Sequence, residues 1–160
     1  MTVVDVIMTG RHLHMRRGLL ACGVFAGPGR REEVEHREWV EHLIDFLELG
    51  PYRMAVAGAL PAGIQKRVAL GRALAMEPAL LLLDEVTSGM SVEEKRDMAR
   101  FIADSRVERG ITVLLIEHDL SFVTGMAGRV LVMDYGRVIA EGPPDEVLRT
   151  PEVIAAYVGE

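Results

Sequence analysis

Two short apolar runs do most to limit what this chain can fold into. Residues 79–84 (ALLLLD) and 111–119 (ITVLLIEHD) flank a stretch from Val92 to Glu108 that reads as a helix. Neither run alternates polar and apolar residues, the pattern expected of parallel strands covered on both faces. A strand–helix–strand unit of this kind closes as a right-handed crossover. The second half of the chain is therefore expected to be α/β.

Both runs end on polar residues. LLLLDEVTSG stops on Asp84 and Glu85, followed by small residues, and the second run stops on Glu117, His118 and Asp119. In an open α/β sheet, ligands bind beyond the C-terminal strand ends. Asp84 there suits a magnesium ion, usually held through water, and Glu85 suits a general base acting on water. The plainer reading of either end is a strand leaving the core for a turn. If the strands are neighbours, His118 lies near Glu85, where a histidine can hydrogen-bond a γ-phosphate and orient the glutamate and water, although a lone histidine is more often structural.

Upstream, Thr2 is placed to cap a short helix in TVVDVIMTG. A three- and four-residue spacing of Val34, Trp39, Leu43, Ile44, Phe46 and Leu47 predicts a helix over residues 31–49, ended by Gly50-Pro51. A further helix is expected over 64–76, with Pro78 marking its end. Residues 129–142 read as two alternating strands around Asp134-Tyr135-Gly136-Arg137, a hairpin. Pro143-Pro144 and Pro151 open short helices. The organisation expected is a helical part over 1–77, half of a core sheet over 78–143, and terminal helices over 144–160.

Composition excludes several classes. The net charge of -6 argues against a general nucleic-acid surface. Cys22 is the single cysteine, so no internal disulfide forms, and a reducing, cytoplasmic setting is expected. The apolar stretch at 18–27 is about half the roughly 20 residues of a membrane span. Between Arg17 and Cys22 there is also too little room for the roughly 7–15-residue apolar region of a secretory signal. His12 and His14 lack a nearby cysteine or carboxylate, and no metal site is read there.

A third element is LPAGIQKRVALGRALA. Leu60-Pro61-Ala62-Gly63 leads into a helix carrying Gln65, Lys66 and Arg67 in its first turns. A helix N-terminus offers free N–H groups and a positive dipole end to a phosphate. Ile64, Val68 and Leu74 equally make an ordinary core face. With TVLLIEHD and DYGRVIAEGPPDEV following in order, the sequence resembles the ATP-binding subunits of ABC transporters over residues 1–160. The similarity is greatest to branched-chain amino-acid importers, in which LP-x-G-x-QKR replaces the commoner LSGGQ signature.

That resemblance implies a partial P-loop NTPase fold: an ABC-type nucleotide-binding domain with a helical subdomain and an incomplete parallel core sheet. It assigns Leu60, Pro61, Ala62, Gly63, Ile64 and Gln65 to the signature loop, which completes the ATP site of a partner domain. Asp84 becomes the magnesium-binding acid, Glu85 the catalytic base and His118 the switch histidine. Thr87, Ser88, Gly89, Met90 and Ser91 form the D-loop. ATP and Mg²⁺ are the implied cofactors. The implied partners are a second nucleotide-binding domain, in a homo- or heterodimer, and transporter membrane subunits, at the inner face of the cell membrane. The stretch from Gly10 to Glu33 resembles this importer branch's extra segment.

Several departures matter. The family grips ATP with a Gly-rich loop ending in Gly-Lys-Ser/Thr, but Lys66 and Lys95, the only lysines, follow Gln65 and Glu94. Val86 stands where proline is usual, Ala62 replaces a glycine or aromatic residue, and Ser91 replaces a frequent aspartate. The chain resembles the C-terminal two-thirds of such a subunit, and ATP hydrolysis by it alone is not expected. Faces such as Leu114 and Leu131 are expected to be uncovered and the isolated chain poorly stable. Two other readings are a non-catalytic module docking on transporter subunits or on an intact partner, and an ABC-type ATPase outside transport.

Overall fold

The structure, a computed structural model, describes the backbone of residues 1–14 and 28–158 and the side chains of 1–14 and 34–157. Cys22 and its apolar stretch lie outside the described residues, as does most of the importer-like segment. Two compact units are present, Met1–Leu115 and Ile116–Glu160.

In the first unit, α1 (Val3–Gly10) begins where expected. Thr2 accepts from the Asp5 amide and Asp5 returns a bond to the Thr2 amide, a reciprocal cap. Helix α2 (Pro28–Phe46) ends earlier than predicted because Glu48 turns left-handed, at φ 55°, before Gly50-Pro51 arrives. Val40, Leu43 and Ile44 are buried on it. Helix α3 (Ala62–Leu74) packs on α1 so closely that a Cβ on Gly71 would press on Ile7 and Leu47. These three helices hold part of the core of the unit.

The predicted crossover follows. Strand β1 (Leu80–Asp84), α4 (Val92–Arg109) and β2 (Thr112–Ile116) are in order, and the strands are neighbours in a small parallel sheet. Ser91 caps α4 reciprocally with Glu94, and Gly110, at φ 65°, ends it. Met98, Phe101 and Ile102 form the buried face of α4. The strands are not covered on both faces, which corrects the reading of the continuous apolar runs. Leu81 is buried, whereas Leu82 is 66% and Leu114 57% exposed. The expectation of uncovered faces at Leu114 and Leu131 matches the structure, Leu131 being 48% exposed.

In the second unit, α5 (Leu120–Met126) was not legible in the sequence. Asp119, read there as a strand-end acid, caps it by accepting from Ser121 and Phe122. The hairpin is as expected. Strands β3 (Val130–Asp134) and β4 (Arg137–Gly142) pair antiparallel, with Leu131 opposite Glu141 and a bulge after Val132. Tyr135 and Gly136 both have positive φ, the mark of a two-residue hairpin turn. Helices α6 (Pro144–Val147) and α7 (Pro151–Val158) close a small core of Val132, Val147 and Val153.

Candidate functional site

The groups singled out by sequence in the first unit gather where β1 ends and α3 begins. Asp84 is the last residue of β1 and is exposed. Glu85 follows with φ 44°, also exposed. A non-glycine residue held left-handed costs of order 1–3 kcal/mol and persists only when its surroundings enforce it. Here a tight loop does so: Ser88 donates its amide to the Glu85 carbonyl at 3.2 Å, and Met90 donates to Thr87 at 3.1 Å. Thr87 and Met90 are buried, and Gly89 supplies a further positive φ. Ser91 leaves the loop as the cap of α4.

Helix α3 enters this region with Pro61 at its N-cap and no side-chain cap. Its first-turn amides are therefore available to an anion. Gly63 is buried, and a Cβ there would collide with the Glu94 carboxylate. Gln65 bends back to donate to the Leu60 carbonyl at 2.7 Å, bracing the 60–65 loop. Lys66 reaches the other way and donates to the carbonyls of Glu85, at 3.1 Å, and Ser88, at 2.6 Å. Deeper in α3, Arg67 is buried and donates to Asp97 of α4 at 2.8 Å.

Sequence reasoning missed the roles of Lys66 and Glu94. The Ser91–Glu94 spacing is a capping box and was available as a signal for one; nothing local points to the other. His118 lies in the second unit, exposed, between β2 and α5. His14 bonds the Met76 carbonyl at 3.0 Å. Among the described residues, no group of three or more His, Cys, Asp and Glu is placed to hold a metal. A magnesium ion takes most of its shell from water and phosphate and needs only one or two carboxylates, and the exposed Asp84 fits that demand. No helix among the described residues is long and apolar enough to cross a membrane.

Away from this site, Arg11 is buried and satisfied on every side. It donates to the Ala75 carbonyl at 3.0 Å, to Glu77 at 2.6 Å and to His36 Nδ1 at 3.2 Å, with its guanidinium 4.5 Å from the Trp39 ring centroid. The hydrogen bond from Arg11, with its charge, holds the Glu77 carboxyl below the usual glutamate range, against the raising effect of burial.

Residues 137–160 match the family described as branched-chain amino acid ATP-binding cassette transporter. The whole chain is 35% identical to the high-affinity branched-chain amino acid transport ATP-binding protein BraF of Pseudomonas aeruginosa, covering 63% of it. It is 31% identical to LivG of Escherichia coli, a protein of the same description, again covering 63%. Among solved structures, an ATP-binding cassette of an ABC transporter in its ADP conformation superposes with a TM-score of 0.79 at 30% identity, all of this chain matching 63% of that one. A nucleotide-free cassette gives 0.80 at 30% identity and 64%. The chain thus spans just under two thirds of the length of these relatives. By sequence and by fold, it is similar to the ATP-binding proteins of branched-chain amino-acid ABC transporters, with the fold of part of an ABC-type cassette.

Proposed function

We propose that this chain serves in the ATP-binding and ATP-hydrolysing subunit of an importer for branched-chain amino acids, where nucleotide-driven dimerisation powers transport. The observation that carries the reading is the pairing of Asp84 and Glu85 with an uncapped helix N-terminus whose Lys66 binds the Glu85 carbonyl. Asp84 would hold Mg²⁺, which supplies charge neutralisation at a transferring phosphoryl group. Glu85 acts as general base on water, and the resemblance gives His118 the role of switch histidine. Leu60, Pro61, Ala62, Gly63, Ile64 and Gln65 present the first-turn amides of α3 to nucleotide held by a second nucleotide-binding domain. Thr87, Ser88, Gly89, Met90 and Ser91 form the loop facing that domain. The assembly docks on membrane subunits at the inner face of the membrane.

No Gly-Lys pair occurs in residues 1–160, so most of the triphosphate contacts must come from elsewhere and these residues alone are inactive. Titration with Mg-ATP, with and without an intact partner cassette, tests this. Weak binding alone, with hydrolysis in the mixture that Glu85→Gln reduces, is expected. Micromolar binding and hydrolysis by the chain alone would overturn the claim of inactivity. A second reading, a non-catalytic module docking on an intact partner, draws on the exposed Leu82 and Leu114. Binding to the partner without any effect on its ATPase would favour it.

A further inference from the structure

Lys66 is one of only two lysines in the chain, and its place in the fold gives it a use that its sequence neighbours do not suggest. It follows Gln65 in the first turns of α3, among residues that would face a phosphate. Its ammonium is instead committed to the protein. It donates to the carbonyl of Glu85 at 3.1 Å and to the carbonyl of Ser88 at 2.6 Å, and both acceptors lie in the loop after β1. The Glu85 carbonyl also accepts from the Ser88 amide, so the lysine closes a loop that already turns on that oxygen. Glu85 is held left-handed within it. Charge-assisted bonds to carbonyls are stronger than neutral ones, and two of them offset a strained residue's cost.

We infer that Lys66 is a positioning residue: it ties the first turns of α3 to the backbone of Glu85 and sets where that carboxylate stands. The inference rests on the role proposed for Glu85 and adds a direction to it. Any displacement of the α3 N-terminus on engaging nucleotide is carried through the lysine to the general base. A lysine serving as a phosphate ligand would have its protons free for the ligand; here two are given to carbonyls of the chain's own loop.

Amide hydrogen exchange on the full chain tests the tie without nucleotide. In Lys66→Met, exchange of residues 86–90 is expected to rise about tenfold, the loss of about 1.4 kcal/mol of local protection. Exchange in α1 should be unchanged, and Lys66→Arg should restore most of the loop's protection. Unchanged loop exchange in Lys66→Met overturns the inference. So does a rise shared by α1, which reports general unfolding, or a failure of Lys66→Arg to restore. ATPase of the chain mixed with an intact partner cassette gives the functional reading. Lys66→Met should lower kcat about tenfold while moving KM less than about twofold. If the unsubstituted mixture shows no activity attributable to this chain, the role proposed for Glu85 fails while the exchange result still decides the tie. If the mixture is active and Lys66→Met leaves kcat intact, the positioning role is overturned.

Discussion

The carboxylate of Glu94 stands over Gly63, where a Cβ on the glycine would fall on the group that closes the Ser91 cap of α4. Alanine at 63 must push Glu94 aside and break its charge-assisted bond to the Ser91 amide, a loss of about 1–2 kcal/mol, while the Ser91 side chain still caps the Glu94 amide. Better helix propensity returns about 0.5–1 kcal/mol. Gly63→Ala is thus expected to destabilise by about 1 kcal/mol in urea unfolding. In a Glu94→Ala background the same change should be neutral or stabilising. An equal cost in both backgrounds would show that the collision is not what Gly63 avoids.

Burial separates two of the arginines that pair with glutamates in the first unit. Arg11 is buried, with a carbonyl, a carboxylate, an imidazole and an indole around it; Arg53 meets Glu41 at the surface. Arg11→Met is expected to cost about 2–4 kcal/mol and Arg53→Met less than about 1 kcal/mol. Comparable losses by chemical denaturation would rule out the buried cluster as a stabilising feature.

Glu77 adds a pH dependence. Its carboxyl is held below the ordinary glutamate range by the Arg11 bond, so its contribution is present above the unfolded-state pKa. That contribution is lost as pH falls from the ordinary glutamate value through the lower folded-state value. Asp5, lowered by its bonds with Thr2, adds a further loss from the aspartate range downward. Glu77→Gln should lower stability at neutral pH, where the ionised carboxylate bonds Arg11, and flatten the upper part of the acid limb in pH-dependent unfolding. A superimposable acid limb would remove Glu77 from the account.

Asp119 is tested through the helix it caps. Asp119→Ala should destabilise α5 by about 1 kcal/mol, seen as faster exchange in residues 120–126, with Asp119→Asn losing much less. Equal loss in both variants would mean that the carboxylate's charge, not the cap, matters.

The bare face of the sheet carries the prediction of poor behaviour in isolation. Leu82 and Leu114 expose apolar surface on neighbouring strands, a setting for association. Leu82→Glu should lower light scattering on warming while changing stability by less than about 0.5 kcal/mol. A sharp, cooperative melt of the unsubstituted monomer without aggregation would count against it.

Much of this fold was legible because the signals are local. The Thr2 cap, the apolar run ending on Asp84 and the Tyr135-Gly136 turn each act within a few residues. Helix α5 escaped notice because it is short, contains Gly125 and β-branched residues, and opens on an acid that the run before it made look like a strand end. The continuous apolar strands hid which leucines are covered, since a run without alternation does not mark its faces.

By itself, the sequence determined the strand–helix–strand unit, the Thr2 cap of the first helix, the hairpin and the placing of two acids at a strand end. Periodicity and capping depend on neighbours along the chain. Tertiary structure alone decided that Lys66 serves the Glu85 loop, 19 and 22 residues away, and that Arg11 is spent on Glu77, 66 residues on. A long cationic side chain reaches whichever acceptors packing leaves open, and only the folded backbone puts those carbonyls within its range.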